Sequence, residues 1–384
     1  MLDPARIMER CDALARHSEL PGGLTRVFLS PQARAASDKV LGWMREAGMQ
    51  ARLDAIGNAA GRYEGERPGL PCLMLGSHLD TVRDAGRYDG MLGVVTAIEC
   101  VDFLKKRNKR LPFAIEVVGF GDEEGVRFGT TLLGSRAVAG IFDGGSLEAK
   151  DQNGKTMRDA LREFGLDPAG IPGVARKKGE VLAYAELHIE QGPVLEAEGL
   201  PVGVVTAING FSRLRATLRG AAGHAGTVPM NLRRDALAGA AECVLAVESI
   251  VKRHAELVGT VGRIEAKPGA INVIPGEAPF TIDVRAPQDI LRKHAVAAIG
   301  AEIETISRKR SLESEVDLLQ EFGSTACAPR LMEQMERAVA RQGFPVRRLP
   351  SGAGHDGMAL AAITEICMLF VRCKGGISHS PLEA

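Results

Sequence analysis

The stretch LMLGSHLDTVRDAGRYDG, Leu73 to Gly90, begins as a buried strand and then turns abruptly polar. His78, Asp80, Asp84 and Asp89 follow directly on Leu73, Met74 and Leu75. Burial gains nothing from ionisable groups at the mouth of a core unless something there compensates their charge. Three further apolar runs end in the same way. FAIEVVGFG leads to Asp122-Glu123-Glu124, AYAELHI carries His188, and EICMLFV precedes His379 in GGISHSP. Short apolar runs bounded by Gly or Pro and separated by helical stretches predict central strands of an α/β sheet. In such sheets ligands bind beyond the carboxyl ends of the strands.

Working outward, residues from about Pro4 to Met49 carry apolar side chains at three- and four-residue intervals and read as helical. MLGVVTAIECVDFLKK, after the first strand, predicts a helix with a basic C-terminal end. From about Gly210 the texture changes. SRLRATLRG and PFTIDVRA alternate apolar with polar residues, the period of half-exposed antiparallel strands, and a long helix through RRDALAGAAECVLAVESIVKR lies between them. Its apolar stripe is expected on Leu237, Ala240, Val244, Val247 and Val251. The prediction is a mixed central sheet flanked by helices over residues 1–209 and 323–384, with an α+β domain inserted over 210–322.

Composition excludes several functions. The 48 acids balance 48 basic residues, so no global field draws nucleic acid or an anionic membrane, and 4% aromatics offer few base-stacking surfaces. No apolar run approaches the roughly 18–20 residues that span a bilayer. The N-terminal segment lacks a basic region followed by an apolar one. Seven scattered cysteines without a C-x-x-C read as reduced thiols of a cytoplasmic protein. There is neither a G-x-S-x-G elbow nor a P-loop.

A single histidine at a strand end is ordinarily a satisfied hydrogen-bonding residue. Together, however, His78, Asp89, Glu124, His188 and His379 supply nitrogen and carboxylate donors suited to divalent transition metals. Five donors exceed the need of one open catalytic zinc and suit two ions if a carboxylate bridges. Of the adjacent pair Glu123-Glu124, one carboxylate can bind metal while its neighbour moves protons. Asp80, two residues beyond His78, is expected to accept a hydrogen bond from its imidazole. In the inserted domain His224 stands on a glycine-flanked turn. Asn272 and Arg285 suggest a carboxylate clamp, although an outward Arg on a half-exposed strand is more often simply solvated. His355-Asp356 follows a glycine-rich turn at a predicted helix start and offers another substrate contact.

The motifs GSHLDTV…YDGMLGV, GDEEGVRF, ELHIEQGPVLE, GHAGTVPMNLRRDAL, NVIPGE and PSGAGHD…GGISHSP together resemble M20-type metallohydrolases. The resemblance is to the branch that contains allantoate amidohydrolase, N-carbamoyl-L-amino-acid hydrolase and β-ureidopropionase. It implies a zinc-exopeptidase-like catalytic domain, with the inserted domain acting as a lid and forming a homodimer. It implies two divalent ions (Mn, Zn, Co or Ni) held by His78, a bridging Asp89, Glu124, His188 and His379, with Glu123 as general base. Gln191, Asn272, Arg285 and His355 match substrate-contacting positions, and His224 matches a lid histidine that reaches the partner subunit's site. The implied reaction is hydrolysis of a ureido group on a small carboxylate, with ammonia leaving and carbon dioxide following. Allantoate comes first because RDAGRYDG and FVRCKGGISHSP resemble allantoate-type sequences, with an N-carbamoyl-L-amino acid as the alternative. A dipeptidase or a non-catalytic binding homologue fits the motifs less well. RDAGRYDG also departs from the Gly-Gly-x-Phe-Asp-Gly pattern of many relatives.

Overall fold

The four apolar runs form four neighbouring strands, Ala114–Phe120, Cys72–His78, Val181–Ile189 and Ile366–Val371, in that order across the sheet. All three pairings between them are parallel. Their carboxyl ends therefore share one edge, which is why residues far apart in sequence can meet there. The Ala114–Phe120 strand is buried along its whole length, as a central parallel strand must be. The computed structural model describes residues 3–384. In it the chain divides into two compact units. The first runs to Thr206 and resumes over Ala326–Leu349 and Ala353–Ala384; the second comprises Ala207–Thr325 with Pro350–Gly352.

In the first unit the helix Met91–Lys105 packs on the parallel strands and buries Met91, Val94, Val95, Ile98 and Val101. The helix Pro4–Ala15 is fastened to it through Arg6 and Arg10, which converge on the buried Glu99. The region from Pro4 to Met49 is not one helical run. It forms Pro4–Ala15 and Pro31–Glu46, separated by a stretch that contains Pro21-Gly22-Gly23, and Ser30, with Pro31 at the first position, caps the second.

In the second unit the antiparallel sheet runs in the order Glu313–Phe322, Gly210–Arg219, Glu277–Ala286, Val258–Ile264. Leu214, Ala216, Leu218, Phe280, Ile282 and Val284 face its core, as their alternation requires. The helices Ala236–Val251 and Asp289–Lys309 pack on that core, with Leu257 and Leu312 beside them. On Ala236–Val251 the buried stripe is centred on Ala240, Cys243 and Val247, while Leu237 and Val244 are only half-buried. Ala236, Ile250 and Val251 complete the buried face.

All seven cysteines are free thiols. Burial pushes Cys11, Cys72, Cys243, Cys327 and Cys367 up to about 12 and raises Cys100 and Cys373 as well. The thiolate is the reactive form. The native protein at about pH 8 should therefore react barely at all with a thiol-exchange reagent. All seven should react on unfolding; fast native reaction of several thiols would contradict this packing.

Candidate metal centre

At the shared strand edge, His78 ends its strand and His188 lies one residue before the end of its own. Each imidazole places Nδ1 3.0 Å from a backbone carbonyl, Asp80 O for His78 and Ile189 O for His188. A carbonyl only accepts, so in the neutral rings Nδ1 carries the proton and Nε2 presents a lone pair. The two Nε2 atoms lie 3.5 Å apart, and Asp89 Oδ1 lies 3.3 and 3.2 Å from them. That buried oxygen has no hydrogen-bond partner among the described residues. Three acceptor atoms thus converge, an arrangement that is costly unless a cation joins them.

The other oxygen of the same carboxylate faces a second group. Asp89 Oδ2 and Glu124 Oε1 each lie 3.4 Å from His379 Nε2. The edge of a tetrahedron with bonds of about 2.0–2.2 Å is about 3.3–3.6 Å. All three spacings of His78–Asp89–His188 match it, as do those from His379 to Asp89 and to Glu124, and Asp89 belongs to both groups. The donor set therefore fits two divalent ions bridged by one carboxylate.

Electrostatics agree with this fit. Burial opposes ionisation of Asp89, yet the adjoining His188 and His78 rings hold its carboxyl well below the usual range. Burial likewise disfavours charge on His78 and His188, but Asp89 pulls both above an ordinary imidazole. The cluster thus calls for positive charge, which a proton supplies weakly and a dication strongly.

Backbone geometry aims these groups. Gly90 caps the helix at φ 72°, and a Cβ there would run into the His78 ring and carbonyl, so only glycine lets the helix start so close to His78. Asp122, Gln191 and His379 all have positive φ, a strain typical of functional loops. Asp80 serves a different purpose from the one expected of it. Its carboxylate is 3.9 Å from His78 Nδ1, and its two oxygens instead accept the backbone N–H groups of Glu123 and Glu124, each at 3.1 Å. The backbone carbonyl of Asp80, not its side chain, orients His78. Glu123 lies with His78 and Glu124 in one group of potential ligand atoms. Desolvation, with Glu124 and Asp356 adding to it and His78 opposing, raises its carboxyl well above the usual range.

Two expected substrate contacts are engaged elsewhere. Gln191 donates from Nε2 to Asp89 Oδ2 at 2.7 Å and to Ser378 Oγ at 3.0 Å. His355 is buried behind His188, with ring centroids 4.5 Å apart, and burial together with His188 holds it well below an ordinary imidazole. Sequence reasoning missed three residues here. Ser378 donates to Asp89 Oδ2 at 2.5 Å. Glu186 accepts from Ser77 and Tyr184 behind the cluster. Glu383 accepts from the backbone of Asp89. Only Ser378, beside His379, carried a signal in the sequence.

In the second unit, His224 Nδ1 accepts the Gly226 N–H at 3.0 Å, which leaves the neutral ring's proton on Nε2 as an outward donor. Pairing of His224 with Val273 fixes the turn next to the exposed Asn272. Arg285 forks onto Asp283 and donates to Gly352 O, keeping the second hydrogen of each Nη for another acceptor.

A family model described as peptidase family M20/M25/M40 matches residues 74–384, which include every group named above. The chain belongs to that family. It is 43% identical over 384 residues to the N-carbamoyl-L-amino acid amidohydrolase of Geobacillus stearothermophilus, covering 100% of this chain and 94% of that one. It is 41% identical over 401 residues to allantoate deiminase 1 of Glycine max, covering 96% of this chain and 83% of that one. Among solved structures it resembles an amidase of the hydantoinase/carbamoylase family from Burkholderia multivorans, with TM-score 0.93, 35% identity and coverage of 100% and 93%.

Removing the Asp80 carboxylate leaves two loop N–H groups unpaired. Asp80→Ala should cost about 1–3 kcal/mol in urea unfolding and depress hydrolysis through misplaced Glu123 and Glu124. Wild-type stability and rate would contradict the assigned contacts.

Proposed function

We propose that this M20-family hydrolase cleaves the ureido C–N bond of a small carboxylate, releasing ammonia, with carbon dioxide following from the carbamate. The observation that carries the reading is the double use of Asp89, whose two oxygens each complete a separate group of histidine and carboxylate donors. His78 and His188 with Asp89 would hold one divalent ion, and Glu124 and His379 with Asp89 the other. Bound there, two divalent ions supply Lewis acidity and make water a stronger acid.

The chain's own groups do the rest. Glu123, its carboxyl raised well above the usual range by burial, takes the proton of the attacking water and returns it to the leaving amine. His224, with its proton on Nε2, donates to the developing oxyanion. The remaining Arg285 hydrogens and Asn272 take the substrate carboxylate. We assign His224 to the site of a second copy in a homodimer. The second unit's edge strand Glu313–Phe322 supports such pairing, since among the described residues it pairs on one side only and exposes Val316, Leu318 and Leu319.

Both relatives above act on ureido carboxylates by name, one an N-carbamoyl-L-amino acid and the other allantoate. The variant loop does not decide between them. Arg83 and Asp84 are exposed, and Arg87 pairs with Asp12 at 2.7 Å.

Metal-loaded protein should release ammonia from allantoate or from N-carbamoyl-L-amino acids, and no turnover of either would contradict the reading. Glu123→Gln should keep its metal and lose about 10²–10⁴-fold in kcat. Mixing Glu123→Gln chains with His224→Ala chains should restore activity that neither has alone, because one site of the mixed dimer regains both groups. Failure of the mixture to recover would place His224 within its own subunit or outside catalysis.

A further inference from the structure

We propose that Glu383 is a positioning residue that fixes the backbone of Asp89, with Gly86 as the gap that admits it. The inference rests on Asp89 being the carboxylate shared by two ions. Glu383 is 5% exposed, and its Oε1 accepts both the Tyr88 N–H at 2.6 Å and the Asp89 N–H at 3.1 Å. These are the two peptide groups immediately before the helix cap Gly90. Left unpaired in a buried loop they would each cost the desolvation of a donor, so one side-chain oxygen settles the conformation of both.

The grip is two-sided because Glu383 and His379 belong to one short segment. Ser378 Oγ donates to the Asp89 carboxylate while Glu383 holds the Asp89 backbone. The segment is itself tied down, with Glu383 N donating to Ser380 O at 3.1 Å and Lys374 N donating to Ala384 O at 2.7 Å. The same segment that brings His379 to Asp89 therefore sets the angle at which Asp89 meets His78 and His188.

Gly86, which this loop shares with the Gly-Gly-x-Phe-Asp-Gly pattern, is explained by the same contact. A Cβ at Gly86 would overlap the Cβ and the carboxyl group of Glu383. The clash involves the root of the Glu383 side chain as well as its tip, so rotation of the tip does not relieve it. The loop's glycine is thus explained by what packs against it, and a substrate contact is not needed to account for it.

The test is calorimetric titration of Mn²⁺ or Zn²⁺ into metal-stripped full-length protein, with thermal unfolding of each metal-free variant as a control for folding. Glu383→Ala should bind metal about 10–100-fold more weakly, the usual effect of losing a group that orients a ligand. Gly86→Ala should do the same although every ligand and Glu383 itself remain. Glu383→Gln should recover most of the affinity, because its amide oxygen can accept both N–H groups without a charge. If Glu383→Ala fails to fold, Gly86→Ala decides the same question. Wild-type affinity in a folded Glu383→Ala or Gly86→Ala would overturn the inference, as would a Glu383→Gln as weak as the alanine variant. Absence of metal binding by the wild-type chain would instead overturn the shared-carboxylate reading beneath it.

Discussion

The structure of the site depends on one carboxylate that must face two ways. Asp89 presents one oxygen to His78 and His188 and the other to His379 and Glu124. A buried carboxylate in that position is tolerable only if the surrounding groups are fixed and positive charge is supplied. Much of the first unit's local geometry meets the first condition. Parallel pairing brings the strand ends to one edge, Gly90 lets the helix begin against His78, and carbonyls lock both imidazole tautomers. Divalent ions would meet the second.

The second unit makes a different contribution. Its strands bury one face against two helices and leave polar side chains on the other, which keeps Arg285 and Asp283 paired and accessible. His224 is on a short turn whose backbone N–H at Gly226 decides the tautomer. A backbone group thereby prepares the donor, in contrast to the mutually interacting side chains at the candidate metal centre.

Much of this was legible in the sequence because apolar runs ending in His or acidic residues carry two signals at once. The strand pattern locates the sheet, and the polar ending locates its ligand edge. The four central strands, the long helices and the convergence of His78, Asp89, Glu124, His188 and His379 follow from that. What escaped depends on atoms that residue type does not reveal. Whether Asp80 uses its side chain or its carbonyl toward His78 is a matter of a single torsion. Gln191 turns toward Asp89, and His355 is buried behind His188, because burial settles their partners and spacing says nothing of burial. The break within residues 4–49 was signalled by Pro21-Gly22-Gly23, but helical periodicity on both sides masked it. Glu383 was invisible because its partners are backbone N–H groups nearly 300 positions earlier in the chain, at sequence separations of 295 and 294.

We propose that Asp89 would serve two ions at once. The most direct test is the metal content of dialysed protein measured by elemental analysis, comparing wild type with Asp89→Ala and His188→Ala. The account predicts two ions per chain in the wild type, one in His188→Ala and none retained in Asp89→Ala. An Asp89→Ala protein that still holds one ion tightly would show that the two groups do not depend on a shared carboxylate, and would contradict it.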